Sequence, residues 1–256
     1  MKNSIIKSKY IYSTITVVLL LISIFILSKI INNTFIFPTF QMVIDGAKIV
    51  LIDNYQAIPE LIIFVIVSLL ISFIYSFIIL VIYILNKNLI GFFTPILSFF
   101  HVVPTMAISV YLFLILDKNE KFLVPIILAI MVTTPIIVEG LITSYDNIDK
   151  GIEDVLKLEQ ISFFKKVFKI YIPLMLPYIL MVLLQSISLG IKAVVMGEFI
   201  GYQQTNSHAT LGGILYSNQV ESGVIVFILI LLFVISVICE VVIKILQIQI
   251  NKNLVK

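Results

Sequence analysis

Six stretches of this chain each reach the roughly 20 apolar residues that a helix needs to cross a bilayer, at residues 11–31, 61–85, 96–116, 122–143, 173–196 and 223–247. Of its 256 residues 61% are hydrophobic and 12% charged. No soluble domain of that length could hide so much apolar surface in one core, so the solvent is a bilayer. The expectation is an all-α membrane protein, a polytopic bundle of about six transmembrane helices with a cytoplasmic helix attached. Lys2, Lys7 and Lys9 precede the first run, which is longer than a signal-peptide core and lacks a small-residue cleavage site. It reads as a retained first span.

Charge then orients the bundle. The excess of +3 is a topology signal and not a nucleic-acid one, and all 17 basic residues are lysine. With the N-terminus inside, the loops alternate. Twelve lysines then fall in or beside the inner segments and four in or beside the outer ones, with Lys192 within the fifth span. That bias is the positive-inside pattern, and it places both termini in the cytoplasm. The lack of Arg and Trp beside abundant Ile, Lys and Asn reads as the codon bias of an AT-rich bacterial genome. A single cysteine, Cys239, excludes an internal disulfide.

One long polar insertion breaks the apolar pattern, residues 149–177, DKGIEDVLKLEQISFFKKVFKIYIPLMLP. At helical spacing its first part sets Ile152, Val155 and Leu156 against Glu153, Asp154 and Lys157, which is a docking pattern. The second sets Phe163, Phe164, Val167, Phe168, Ile170 and Tyr171 against Lys165, Lys166 and Lys169. Such a segment is expected to lie flat in the headgroup boundary with its lysines toward anionic lipid. Pro173 suits the first turn of a new membrane helix, and Pro177 sits deep enough to kink it. Pro95 and Pro104 bracket residues 96–103. Part of that third run therefore reads as a tilted or interfacial piece, with the true span beginning near Pro104.

No phosphate-binding glycine loop, His/Cys cluster or nucleophile with a base is present, so no catalytic residue and no metal ligand is assigned, and the chain does not read as an enzyme. Polar groups inside the spans are the better clue, because ionisable side chains are costly in hydrocarbon and tend to face a cavity or a partner. Glu139, Gln185, Lys192 and Glu198 are the candidate pathway residues. Lys192 and Glu240 also read as side chains snorkelling to an interface, and Gln185 as an interhelical hydrogen-bond partner. Lys192 and Glu198 are neighbours only if the helix breaks between them, which Gly197 would allow. The outer loop over residues 201–222 reads either as a plain connector or as a cap over the outer mouth.

The polar insertion resembles the coupling segment of permease subunits of bacterial ATP-binding cassette importers. That family carries a Glu-Ala-Ala triplet, a following glycine and a later Ile-x-Leu-Pro. Aligned on Ile170-Tyr171-Ile172-Pro173 and on Ser162, Asp154 stands at the acidic position, Val155 and Leu156 at the alanines and Gln160 at the glycine. A shift of one residue puts Glu153 at the acid. The acid is shortened, both alanines are enlarged and the glycine is lost. VPTMAISVYLFLIL, VPIILAIMVTTPIIVEGLITSYDNID, GIKAVVMGEFIG and TLGGILYSNQ look like further segments of the nitrate/sulfonate/taurine type of permease, so the similarity covers about residues 60–247.

The resemblance implies a division into residues 1–59, a first helix with an extracytoplasmic segment; 60–248, the transport core; and 249–256, a cytoplasmic tail. It implies a permease in the bacterial cell membrane that binds no cofactor itself and couples to a separate ATPase, which uses the ATP. The coupling residues would be Ile152, Glu153, Asp154, Val155, Leu156, Gln160, Ser162 and Pro173. The partners implied are that ATPase, a second permease copy or paralogue, an extracytoplasmic solute-binding protein and the lipid bilayer, with no nucleic acid. A stand-alone carrier or channel is the alternative, and it would need more polar residues deep in several spans.

Overall fold

The computed structural model of the chain describes residues 38–159, 161–205 and 210–254, together with Ile15, Leu19, Ile22, Ser23 and Ile26. The first expected span therefore lies outside the described residues except at those five positions, which are helical and exposed. The described elements are all helical: α1 (Phe40–Lys48), α2 (Ala57–Leu85), α3 (Ile90–Val102), α4 (Thr105–Ile115), α5 (Leu123–Asp146), α6 (Lys150–Leu158), α7 (Phe163–Lys166), α8 (Ile172–Thr205), α9 (Leu211–Ser217) and α10 (Ser222–Leu254). Four of the described helices are long and apolar enough to cross a membrane, or five if the bent pair of α3 and α4 is one span.

Two apolar clusters pin the bundle at opposite ends. The starts of α2 and α5 meet the later part of α8, α9 and the start of α10 around Leu61, Leu128, Val194, Leu211 and Ile228. The far ends of α2 and α5 meet α6 and the start of α8 around Leu80, Leu141, Leu156 and Met175. Helices α2 and α5 therefore run the same way and α8 runs against them, as alternating spans must. Their faces join through small polar groups: Ser68, Ser72 and Ser76 are buried on α2 at every fourth residue. The Ser72 and Thr133 hydroxyls lie 2.8 Å apart, and Ser68 and Ser76 donate to the carbonyls of Ile126 and Thr134. Small hydroxylated residues let helices approach closely in lipid while satisfying their own polar atoms.

Three expectations change. The run 96–116 is not one straight helix, because α3 and α4 meet at a 97° bend. Pro104 stands at the N-cap of α4 with extended backbone, and its ring opposes helical geometry in the residue before it. At 11 residues, α4 is too short to cross alone. Second, residues 163–171 do not form a separate flat helix. They open a single run from Phe163 to Gly201, because a wide π turn over Val167–Tyr171 passes the chain into α8. The Ile172 N–H bonds back to the Val167 carbonyl, so the chain is already on the wider bonding pattern when it reaches Pro173, which has no N–H to give. Third, Gly197 does not break α8, which stays helical through it. Its missing side chain instead admits α5, since a Cβ there would stand 2.7 Å from the Pro125 Cα.

The same device recurs at this end of the bundle. A Cβ on Gly223 would lie 2.3 Å from the Met42 carbonyl oxygen, and one on Gly46 would lie 2.8 Å from that of Gly223. Helix α1, continued by a π turn over Ile49–Asp53, thus lies against the start of α10 backbone to backbone.

Candidate functional site

Helix α6 begins where Asp149 accepts the Gly151 N–H on Oδ1 at 2.7 Å, an N-cap that occupies one of the donors a helix start leaves open. Its apolar side divides. Leu156 is buried and Ile152 half-buried against Tyr145, Tyr171 and Met175, whereas Val155 is 53% exposed. Asp154 is exposed too. The docking face expected from Ile152, Val155 and Leu156 is therefore mostly turned onto the chain's own bundle. Among the described positions of this helix and its C-cap, the exposed ones are Gly151, Asp154, Val155 and Glu159.

Glu153 lies on the helix with its side chain outside the described part, and Gln160 is outside the described residues altogether. Ser162 is exposed at the start of α7 and its hydroxyl makes no capping bond. Pro173 sits half-buried just inside α8.

Behind α6 lies an arrangement that sequence reading did not find. Tyr83, at the end of α2, donates its hydroxyl to Asp146 Oδ2 at 2.7 Å. Lys87 donates to Oδ1 of the same carboxylate at 2.6 Å. The Lys87 ammonium also stands over the Tyr83 and Tyr145 rings, 5.3 and 5.7 Å from their centroids. Tyr145 meets Tyr171 edge to face at 5.2 Å. The hydrogen bond to Asp146 holds the Lys87 ammonium above the usual lysine range. One carboxylate thus ties α2 to α5, and the tyrosines carry the contact on to α8. The sequence signal is present in Tyr83 and Lys87 four residues apart at the end of an apolar run, but charge counting reads Lys87 only as one of the twelve inner lysines.

The four pathway candidates separate. Gln185 and Lys192 share one exposed stripe of α8 with Leu174, Tyr178, Met181 and Met196, at the steps of three, four and seven that keep residues on one helix face. Glu139 is exposed on α5, 3.7 Å from His101 Nδ1 at the end of α3. Glu198 points elsewhere: it is 4% exposed, and its Oε2 accepts the Gly212 N–H of α9 at 2.9 Å. Thr210 accepts from Gly213 beside it. The loop over residues 201–222 is thus partly helical, with 201–205 extending α8 and α9 lying back on it. A Cβ on Gly212 would stand 2.4 Å from the Val195 carbonyl oxygen, which is why a glycine occupies that contact.

The family model that matches is described as "Binding-protein-dependent transport system inner membrane component" and covers residues 83–252, from the end of α2 almost to the end of α10. Among solved structures, the chain is similar to one titled as inward-facing conformations of the MetNI methionine ABC transporter. The TM-score is 0.61 at 17% identity, over 74% of this chain and 94% of that one. Comparison with curated proteins gives no match.

Proposed function

Since the chain belongs to the family of binding-protein-dependent transport system inner membrane components, we propose that it is the membrane-spanning permease subunit of an ATP-driven importer for a small solute, of the nitrate, sulfonate or taurine kind or a vitamin precursor. A family match that runs through α6 and the spans on both sides of it carries this reading. The permease does no chemistry itself. A separate cytoplasmic ATPase grips α6, a solute-binding protein outside the cell delivers the cargo, and a second copy of the permease completes the pathway.

The packing of α6 supports a rigid transfer of force. Leu156 and Ile152 lie against Tyr145 of α5 and against Tyr171 and Met175 at the base of α8. Close-packed interiors transmit displacement and do not absorb it. A pull on α6 therefore moves α5 and α8 together, and α8 carries the exposed stripe of Gln185 and Lys192. That stripe is the proposed pathway wall, with the Lys192 ammonium available to an anionic solute.

The testing experiment is co-purification with a cognate ATPase. Asp154→Lys with Val155→Lys alters only outward residues, so the protein should reach the membrane in normal amount while its ATPase partner is lost. Undiminished association would retire the reading.

A further inference from the structure

Glu159 and residues 161–170 form two different surfaces where the chain passes from α6 into the long α8 run. One is an open cavity of about 540 Å³ lined by Glu159, Ile161, Ser162, Lys165, Lys169 and Ile170, a size that suits a small ligand or headgroup. Both lysines are exposed, and neither has an ion-pair partner among the described residues. The two lysines outnumber Glu159, so the cavity is net positive. The Ser162 hydroxyl makes no capping bond there.

The other surface is a groove between α2 and the same segment, lined by Phe77, Ile78, Val81, Phe163, Phe164 and Phe168 with the neighbouring apolar side chains. Phe164 is 73% exposed and Phe168 55%, and Phe168 is anchored on the Phe77 ring at 5.9 Å. A positive cavity and a phenylalanine groove on one helical segment, at the end of a membrane-length helix, have the charge and the apolarity of a single amphiphile. The Tyr83, Asp146 and Lys87 cluster at the same end marks the water boundary, which puts the lysines at headgroup depth.

We propose that this is a binding site for an anionic phospholipid, its phosphate between Lys165 and Lys169 and an acyl chain along Phe164 and Phe168. Because Glu159 ends α6 and Ser162 opens α7, the headgroup spans the joint between the coupling helix and the base of α8. Leaflet composition then sets how firmly that joint is held. The site needs no ATPase and stands apart from the importer reading.

The test uses the full chain alone, delipidated in detergent and titrated with dioleoyl phosphatidylglycerol or dioleoyl phosphatidylcholine, with retained lipid read by native mass spectrometry. Phosphatidylglycerol should be held about tenfold better, since each lysine near an anionic headgroup contributes roughly a factor of five and Glu159 offsets part of it. Lys165→Gln with Lys169→Gln should abolish the preference, Lys165→Arg with Lys169→Arg should keep it, and Lys48→Gln with Lys118→Gln should leave it unchanged. Phe164→Ser with Phe168→Ser should weaken retention of both lipids. Equal retention of the two lipids, a preference that survives loss of both lysines, undiminished retention in the phenylalanine variant, or displacement by millimolar inorganic phosphate would each overturn the proposal.

Discussion

Tyr83 and Asp146, 63 positions apart in the chain, are joined by a 2.7 Å hydrogen bond that closes the ends of α2 and α5 beside α6. Asp146→Ala leaves both the Tyr83 hydroxyl and the Lys87 ammonium without this acceptor. It should cost about 1–3 kcal/mol, the range for stranding a buried donor and here chiefly the Tyr83 hydroxyl, since Lys87 is mostly exposed, while Tyr83→Phe should cost about 1 kcal/mol. Unfolding midpoints in detergent measure both.

The Lys87 contribution has a defined pH dependence. Its ammonium is held above the usual lysine range by the hydrogen bond to Asp146, so the folded state binds its proton more tightly than the unfolded chain does. Stability from this pair is fully present below the ordinary lysine range and is lost as pH rises through the folded value. The difference between the native protein and Lys87→Gln should be constant from pH 6 to 9 and shrink only in stronger alkali. It should be small, because the lysine is mostly exposed.

The serine seam predicts an asymmetry between two substitutions at one place. Ser72→Ala removes a single interhelical bond to Thr133 and should cost about 0.6 kcal/mol, the average for such bonds in a membrane protein. Ser72→Leu must fit a large side chain where none of the residue is exposed, at about 1–3 kcal/mol or more. Thermal stability of the two purified variants separates them.

Glycine replacements should sort by what stands beside each one. Gly223→Ala drives a methyl group against the Met42 backbone and should push α1 off α10, lowering stability by about 1–3 kcal/mol. Gly91→Ala meets open space within α3 and should be stabilising by about 0.5–1 kcal/mol. Comparison of the two melting curves decides it.

Within α6, stability and association should part company. Leu156→Ala opens a hole in the cluster with Tyr145 and Met175 and should cost about 2–5 kcal/mol. Val155→Ala, at a position 53% exposed, should leave stability within about 0.5 kcal/mol and be felt only when the ATPase is present. Melting curves of the chain alone and pull-down with the ATPase provide the two readouts.

The positions of α2, α5 and α10 and the amphipathic character of the segment that follows α5 were legible because apolar run length and helical spacing are local properties. The long α8 was legible from about Pro173 onward, but its continuity back to Phe163 was not. A proline beside a lysine-rich stretch reads as a boundary unless the π turn before it is known. The division of α6 was hidden for a related reason: periodicity assigns Ile152, Val155 and Leu156 to one face and cannot say how much of that face the chain's own tyrosines take. Glu198 shows the limit most clearly. By position it read as a pathway group, and only the fold brings Gly212 back to within 2.9 Å of its carboxylate.

The wide turn over Val167–Tyr171 stores surplus chain at the foot of the longest described helix. Rewound to ordinary pitch, it would feed one residue into the rod above, which at 3.6 residues per turn is a rotation of roughly 100° with an advance of about 1.5 Å. Gln185 and Lys192 would swing around the axis with their backbone bonds unbroken, so the shaft carries its own screw thread.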